Sequence, residues 1–176
     1  LEGTYPLPEA QLDRFLFKVT VPGVDADVMT EILTTRRRGE PPQSTTACSA
    51  AELDELFGLV DAVFLPEAVA NYIARIVAAT HAGAAGAPDV VTEAVRYGAS
   101  PRAAIAIGEA ARASALLAGR PNVDFADVER VAVAAIAHRI VLRHAAIVQG
   151  TDAVAVVRAV LAAVPAVQKP LAQGVR

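Results

Sequence analysis

The chain has 176 residues with 16 Lys and Arg against 19 Asp and Glu, a formal net charge of −3, so composition makes no general case for a nucleic-acid partner. Hydrophobic residues make up 54% and aromatics only 5%, without Trp, which points to a core of closely packed helices built from Ala and Val. The single Cys48 excludes a disulfide framework and a cysteine metal cluster, and the longest nearly uncharged run, Ala153 to Val167, is interrupted by Arg158 and Pro165, short of the roughly 20 residues a membrane span needs.

Leu1 to Pro8 reads as extended or turn-like, because Pro6 and Pro8 break a helix. Glu9 to Arg14 suits a short helical turn. Phe15 to Val21 then alternates, with Phe15, Phe17, Val19 and Val21 on one face and Leu16, Lys18 and Thr20 on the other; this predicts a strand. A lone strand cannot satisfy its backbone groups, so its sheet is expected upstream of Leu1. Pro22-Gly23 ends it.

From there the chain reads as helical. Asp25 caps a helix with Val28, Met29, Ile32 and Leu33 on its apolar face, ending at Gly39. Arg36, Arg37 and Arg38 fall in its last turn, where the helix dipole favours cations without any phosphate. Glu40 to Thr46 is a polar loop. Ser49 and Glu52 have capping-box spacing, opening a helix striped by Leu53, Leu56, Phe57 and Val60. Pro66 starts another, with Val69, Tyr72, Ile73, Ile76 and Val77 as its buried face. Ala82 to Pro88 is a flexible connection.

Ser100-Pro101-Arg102 opens the next helix: the Ser100 hydroxyl can accept from an unpaired backbone N–H, and Pro101 suits the first helical position. Arg102 then stands at the positive end of the dipole, unfavourable by roughly 0.3–1 kcal/mol. A surface arginine tolerated at small cost and a phosphate bound nearby both account for it. The run Ala103 to Leu117 is mostly Ala, with Gly108 inside it, which suggests close approach of neighbours; Glu109 and Arg112 can pair three residues apart, and Gly119 is the stop. Asp124 caps a helix with Val128, Val131 and Ala135 inward. Ile140 to Leu142 is a short extended piece, and Thr151 or Asp152 opens a last helix striped by Val154, Val157 and Leu161.

Self-sufficient catalysis is not visible. No G-x-x-x-x-G-K-[ST] loop and no strand ending in paired acids is present. His81, His138 and His144 lack the spacing of a helical metal pair, and His138 reads as a structural hydrogen-bonding residue.

Two stretches carry a resemblance: Glu2-Gly3-Thr4-Tyr5-Pro6-Leu7-Pro8-Glu9-Ala10-Gln11-Leu12-Asp13-Arg14-Phe15, and Gly98-Ala99-Ser100-Pro101-Arg102-Ala103. Together with the GRPNVDFADVE run and His138-Arg139, they resemble the MoxR family of AAA+ ATPases over nearly the whole chain. The resemblance implies a mainly α fold: a helical AAA+ lid bundle preceded by the last strand of a truncated α/β P-loop core. Residues 1–23 would be the core remnant and 24–176 the lid. It implies that Arg14 is an arginine finger acting in trans on a neighbour's ATP, with Asp13 orienting either the finger or the subunit contact. Arg102, supported by Ser100 and Pro101, would be sensor 2, reaching the γ-phosphate of its own subunit's ATP. ATP and Mg²⁺ would be held mainly by residues upstream, and no metal ligand is expected in this chain.

The resemblance further implies a cytoplasmic homo-oligomer, a hexamer, that hydrolyses ATP to remodel or mature partner proteins, with a von Willebrand factor A-domain protein as partner and no membrane or nucleic-acid contact. This chain alone would not hydrolyse ATP. The alternatives are a non-enzymatic helical interaction module and a magnesium-chelatase-like ATPase subunit.

Overall fold

Capping chemistry sets most of the helix boundaries in the computed structural model, which describes residues 7–35 and 48–167. The first five residues of the motif at the chain start, the Arg36–Arg38 triplet, the Gly39 stop and the 40–46 loop lie outside the described residues. The elements run α1 (Glu9–Leu12), α2 (Ala26–Thr35), α3 (Ala50–Ala62), α4 (Glu67–Ala78), α5 (Asp89–Ala94), β1 (Val95–Tyr97), α6 (Pro101–Leu117), α7 (Phe125–Ile136), a 3-10 turn (Ala137–Arg139), β2 (Val141–Leu142), α8 (His144–Val148) and α9 (Ala153–Ala163).

Asp25 Oδ1 accepts from Val28 N at 2.8 Å at the head of α2. Ser49 and Glu52 form the expected reciprocal box on α3, Pro66 precedes α4, and Asp124 with Asp127 makes a second box on α7. α6 ends in a Schellman arrangement. Gly119 N donates to Leu116 O and Arg120 N to Ala115 O, with Gly119 at φ 70°, a conformation that costs glycine little.

The core lies where α6 packs against α7 and α4, with α9 closing the other side of α7. α6 turns Ala103, Ala106, Ile107, Gly108, Ala111 and Ala115 inward, and such small side chains let neighbouring helices approach closely. α4 buries the five residues expected of it. α7 buries Val128, Ala132, Ala135 and Ile136, leaving Val131 half-buried. α9 is rotated from its expected stripe: Val156, Val157 and Val160 are buried, whereas Val154 and Leu161 are only half-buried. Arg112 does not pair with Glu109; its Nη1 donates to the Asp61 carbonyl at 2.9 Å, linking α6 to the end of α3.

Other sequence expectations also differ from what forms. β1 and β2 pair antiparallel, Val95 with Leu142 and Tyr97 with Val141; β1, α5 and α8 are elements that periodicity did not reveal, being too short to show a period. Phe15–Val21 carries no ladder here. A strand needs a neighbour for its N–H and C=O groups, and the described residues supply none. The apolar faces of α2 and α3 likewise bury nothing: Met29 is 44%, Ile32 38% and Phe57 58% exposed.

Candidate functional site

The site forms where the turn after α1 meets the N-terminus of α6. Asp13 N donates to Glu9 O and Arg14 N to Gln11 O, so both residues sit on a continuing helical turn. Ser100 is the N-cap of α6 in extended conformation, its hydroxyl accepting from Arg102 N at 3.2 Å, with Pro101 following. The same hydroxyl donates to Asp13 at 2.9 and 3.0 Å from its two carboxylate oxygens.

Asp13 gathers three donors. Besides Ser100, Arg102 Nη1 donates to Oδ2 at 3.1 Å, and Arg139 Nε stands 3.3 Å from Oδ1. Burial pushes the Asp13 carboxyl up, but the Ser100 hydroxyl and the two guanidiniums outweigh it and hold it below its ordinary value. The anion that a helix N-terminus attracts is therefore supplied here by a carboxylate 87 residues earlier in the chain. It also offsets the cost of placing Arg102 in the first turn of α6.

Arg14 is exposed, and among the described residues its guanidinium has no hydrogen-bond or ion-pair partner. Arg14, Arg102, Asp13, Glu109 and Arg139 line one cavity of about 300 Å³. A larger groove of about 740 Å³ between α3, α6 and α7 is mostly apolar, with Phe17, Phe57 and Leu117 on its walls and Asp61, Glu109 and Arg130 also lining it.

In the sequence Arg139 is only part of a motif and carries no assigned role. Its side chain is 2% exposed. Nε donates to Asp13 O at 3.2 Å, Nη1 to Leu16 O at 3.2 Å, and Nη2 to Phe15 O at 2.6 Å; Nη1 also donates to Ala135 O. His138 Nε2 lies 3.0 Å from Phe15 O, and since a carbonyl only accepts, that nitrogen carries the proton. Burial pushes the His138 imidazole below its ordinary pKa, opposed by this bond, so it stays neutral at pH 7 in the structural role expected of it.

Behind Ser100 the backbone is wedged tightly. Ala99 N donates to Thr80 Oγ1 at 2.9 Å, and His81 Nε2 is 3.0 Å from Ala99 O. A Cβ on Gly98 would stand 2.7 Å from Thr80 O and 2.8 Å from the His81 ring. Glycine is what lets the strand before α6 pass this point.

Two guanidiniums facing one cavity at a helix N-terminus fit phosphate oxygens, since each offers fixed donors and keeps its charge. They do not fit a metal ion. Among the described residues no group of three or more His, Cys, Asp or Glu could hold one, and Asp13 is already committed to three donors.

Residues 88–164 match the family model described as the AAA lid domain. The chain is 39% identical over 146 residues to chaperone MoxR1 of Mycobacterium tuberculosis, covering 83% of this chain and 38% of that protein. It is 35% identical over 165 residues to the uncharacterized protein YeaC of Bacillus subtilis, covering 93% of this chain and 48% of that one. A crystal structure assigned as that of an ATPase from Cytophaga hutchinsonii superposes with TM-score 0.85 at 31% identity, over 93% of this chain and 50% of that chain. The chain thus spans half or less of the length of these relatives. With its mainly helical fold and the lid match at 88–164, the chain belongs to the MoxR family of AAA+ ATPases, of which it carries a C-terminal part.

Proposed function

We propose that this chain is the lid and subunit-contact part of an AAA+ machine that hydrolyses ATP in a homo-oligomeric ring, six subunits by family resemblance, to remodel or mature partner proteins in the cytoplasm. A von Willebrand factor A-domain protein is the partner class the resemblance favours. Bound Mg²⁺-ATP would supply the phosphoanhydride to be cleaved, held by the P-loop and acid pair of the core. Residues of this chain supply the rest. Arg14 stabilises charge developing on the terminal phosphate of a neighbouring subunit's nucleotide, and Arg102 ties lid position to the terminal phosphate of its own subunit's ATP.

The observation that carries this reading is the Asp13 junction, which makes the Arg14 turn and the N-terminus of α6 one unit and turns both arginines onto one cavity. That same observation favours a second reading of Arg102. With both guanidiniums on one cavity of one chain, Arg102 serves the same neighbouring nucleotide as Arg14 rather than its own subunit's.

The test is Arg14→Ala in the ATPase with its core. ATP binding should persist while hydrolysis falls by roughly 10³-fold or more, the scale of finger losses in other phosphoryl-transfer systems. Rings mixed with a variant lacking the P-loop lysine should regain activity at interfaces joining an intact P-loop to an intact Arg14. Mixed, assembled rings as inactive as either parent would remove the finger role. No described helix is long and apolar enough to cross a membrane.

A further inference from the structure

The backbone around Arg14 is not held by apolar burial. Phe15 is 54%, Leu16 44% and Phe17 38% exposed, and α1 buries no residue. What fixes this turn is polar: Ser100 and Arg102 at the head of α6 hold the Asp13 side chain, and the backbone is held from the end of α7. Arg139 reaches the carbonyls of Asp13, Phe15 and Leu16, His138 reaches the Phe15 carbonyl, and Lys18 N donates to Ala134 O at 3.1 Å.

We propose that Arg139 is the positioning residue for Arg14: its buried guanidinium grips the backbone on both sides of that residue and fixes the finger's direction relative to the lid. Arg139 cannot itself meet a nucleotide, because its side chain is 2% exposed and its donors are spent on protein oxygens. The arrangement needs an arginine. Only a planar fork with five N–H donors can serve four carbonyls and a carboxylate from one position, whereas lysine offers a single ammonium point. Because the grip comes from the lid, a lid movement is passed directly to the finger, so a neighbour's active site senses the lid of the subunit next to it.

This inference rests on the finger reading of Arg14, and the experiment separates the two. Arg139→Lys, His138→Ala and Arg14→Ala are compared in the ATPase with its core. Arg139→Lys should leave KM for ATP within about twofold while kcat falls between about ten- and a hundredfold, the scale of loss when a reacting group is misplaced by about an ångström. Mixed with subunits lacking the P-loop lysine, it should be rescued as a finger defect is, because those subunits bring an intact Arg139 and Arg14 to its own intact P-loop.

A merely structural role would lower assembly and heat stability without this rescue pattern. If Arg139→Lys does not assemble, His138→Ala carries the test. It deletes one bond to the Phe15 carbonyl without leaving a buried charge unpaired, and it should show the same kcat loss at smaller size with the same rescue. Wild-type kcat in Arg139→Lys, or an unrescued defect, overturns the proposal. If Arg14→Ala is itself fully active, the finger reading falls first; if Arg14→Ala is inactive and Arg139→Lys is not, only the positioning role falls.

Discussion

Asp13 and Arg102, 89 residues apart, are joined by an ion pair of 3.1 Å that closes the turn after α1 onto the first turn of α6. Arg102 is 61% exposed at its side chain while Asp13 is 19% exposed. The pair therefore has one end free to leave and one end anchored. A phosphate entering the cavity can take over the Arg102 donors without disturbing the bonds from Ser100 and Arg139.

Arg102→Ala should accordingly cost little stability, about 0–1 kcal/mol, as for exposed ion pairs. Asp13→Asn should cost more, roughly 1–3 kcal/mol, because it leaves the buried Arg139 short of its carboxylate. Urea unfolding of both variants checks the order. Rings mixing Arg102→Ala with a P-loop variant decide which nucleotide Arg102 serves: rescue assigns it to the neighbour's, and no rescue to its own subunit's.

Two glycines close to the site should respond oppositely to alanine. At Gly98 the added carbon meets the Thr80 carbonyl at 2.7 Å, and backbone cannot yield cheaply. Gly98→Ala should destabilise by about 1–3 kcal/mol and shift Ser100. At Gly108 it meets only Leu65 Cδ2 at 3.9 Å, an ordinary contact, so Gly108→Ala should stabilise by about 0.5–1 kcal/mol. Equal and like-signed shifts in thermal midpoint would count against the packing described for both.

Acid should unfold the chain through Asp127 as well as Asp13. Burial pushes the Asp127 carboxyl up, but Arg120 at 2.6 Å, the Asp124 N–H and the Ser114 hydroxyl hold it below its ordinary value. A carboxyl lowered in the folded state adds stability above its unfolded value of about 3.9. That stability is lost as pH falls through the folded value. Asp127→Asn should therefore be weaker than wild type at pH 7, by roughly 1–3 kcal/mol, and the gap should shrink below about pH 4. Urea midpoints across that range measure it.

Base acts through Tyr72. Burial first, then the charge and hydrogen bond of Glu129, push its phenol up to about 12, with Arg75 opposing. The folded state keeps a proton that the unfolded state releases near 10, so stability falls as pH rises from about 10 to about 12. Tyr72→Phe should remove that part of the alkaline decline, read from thermal unfolding on both sides of pH 10.

Helix starts and stops were legible because their chemistry is local. The Ser49–Glu52 box, Pro66, Ser100-Pro101 and Gly119 each act within a few residues, and each marks a boundary in the structure. The α4 stripe was legible too, since five large apolar residues at helical spacing leave one way to turn. On α9 nearly every position is Ala or Val, so spacing could not choose a face, and packing against α7 chose Val156 and Val160. The motif at the start of the chain and Ser100-Pro101-Arg102 carried the family. That Asp13, Ser100, Arg102 and Arg139 meet was decided only by tertiary structure. Ion pairs and hydrogen bonds spanning 87 to 126 residues leave no period in a sequence, and a buried guanidinium looks like any other arginine until the chain folds around it.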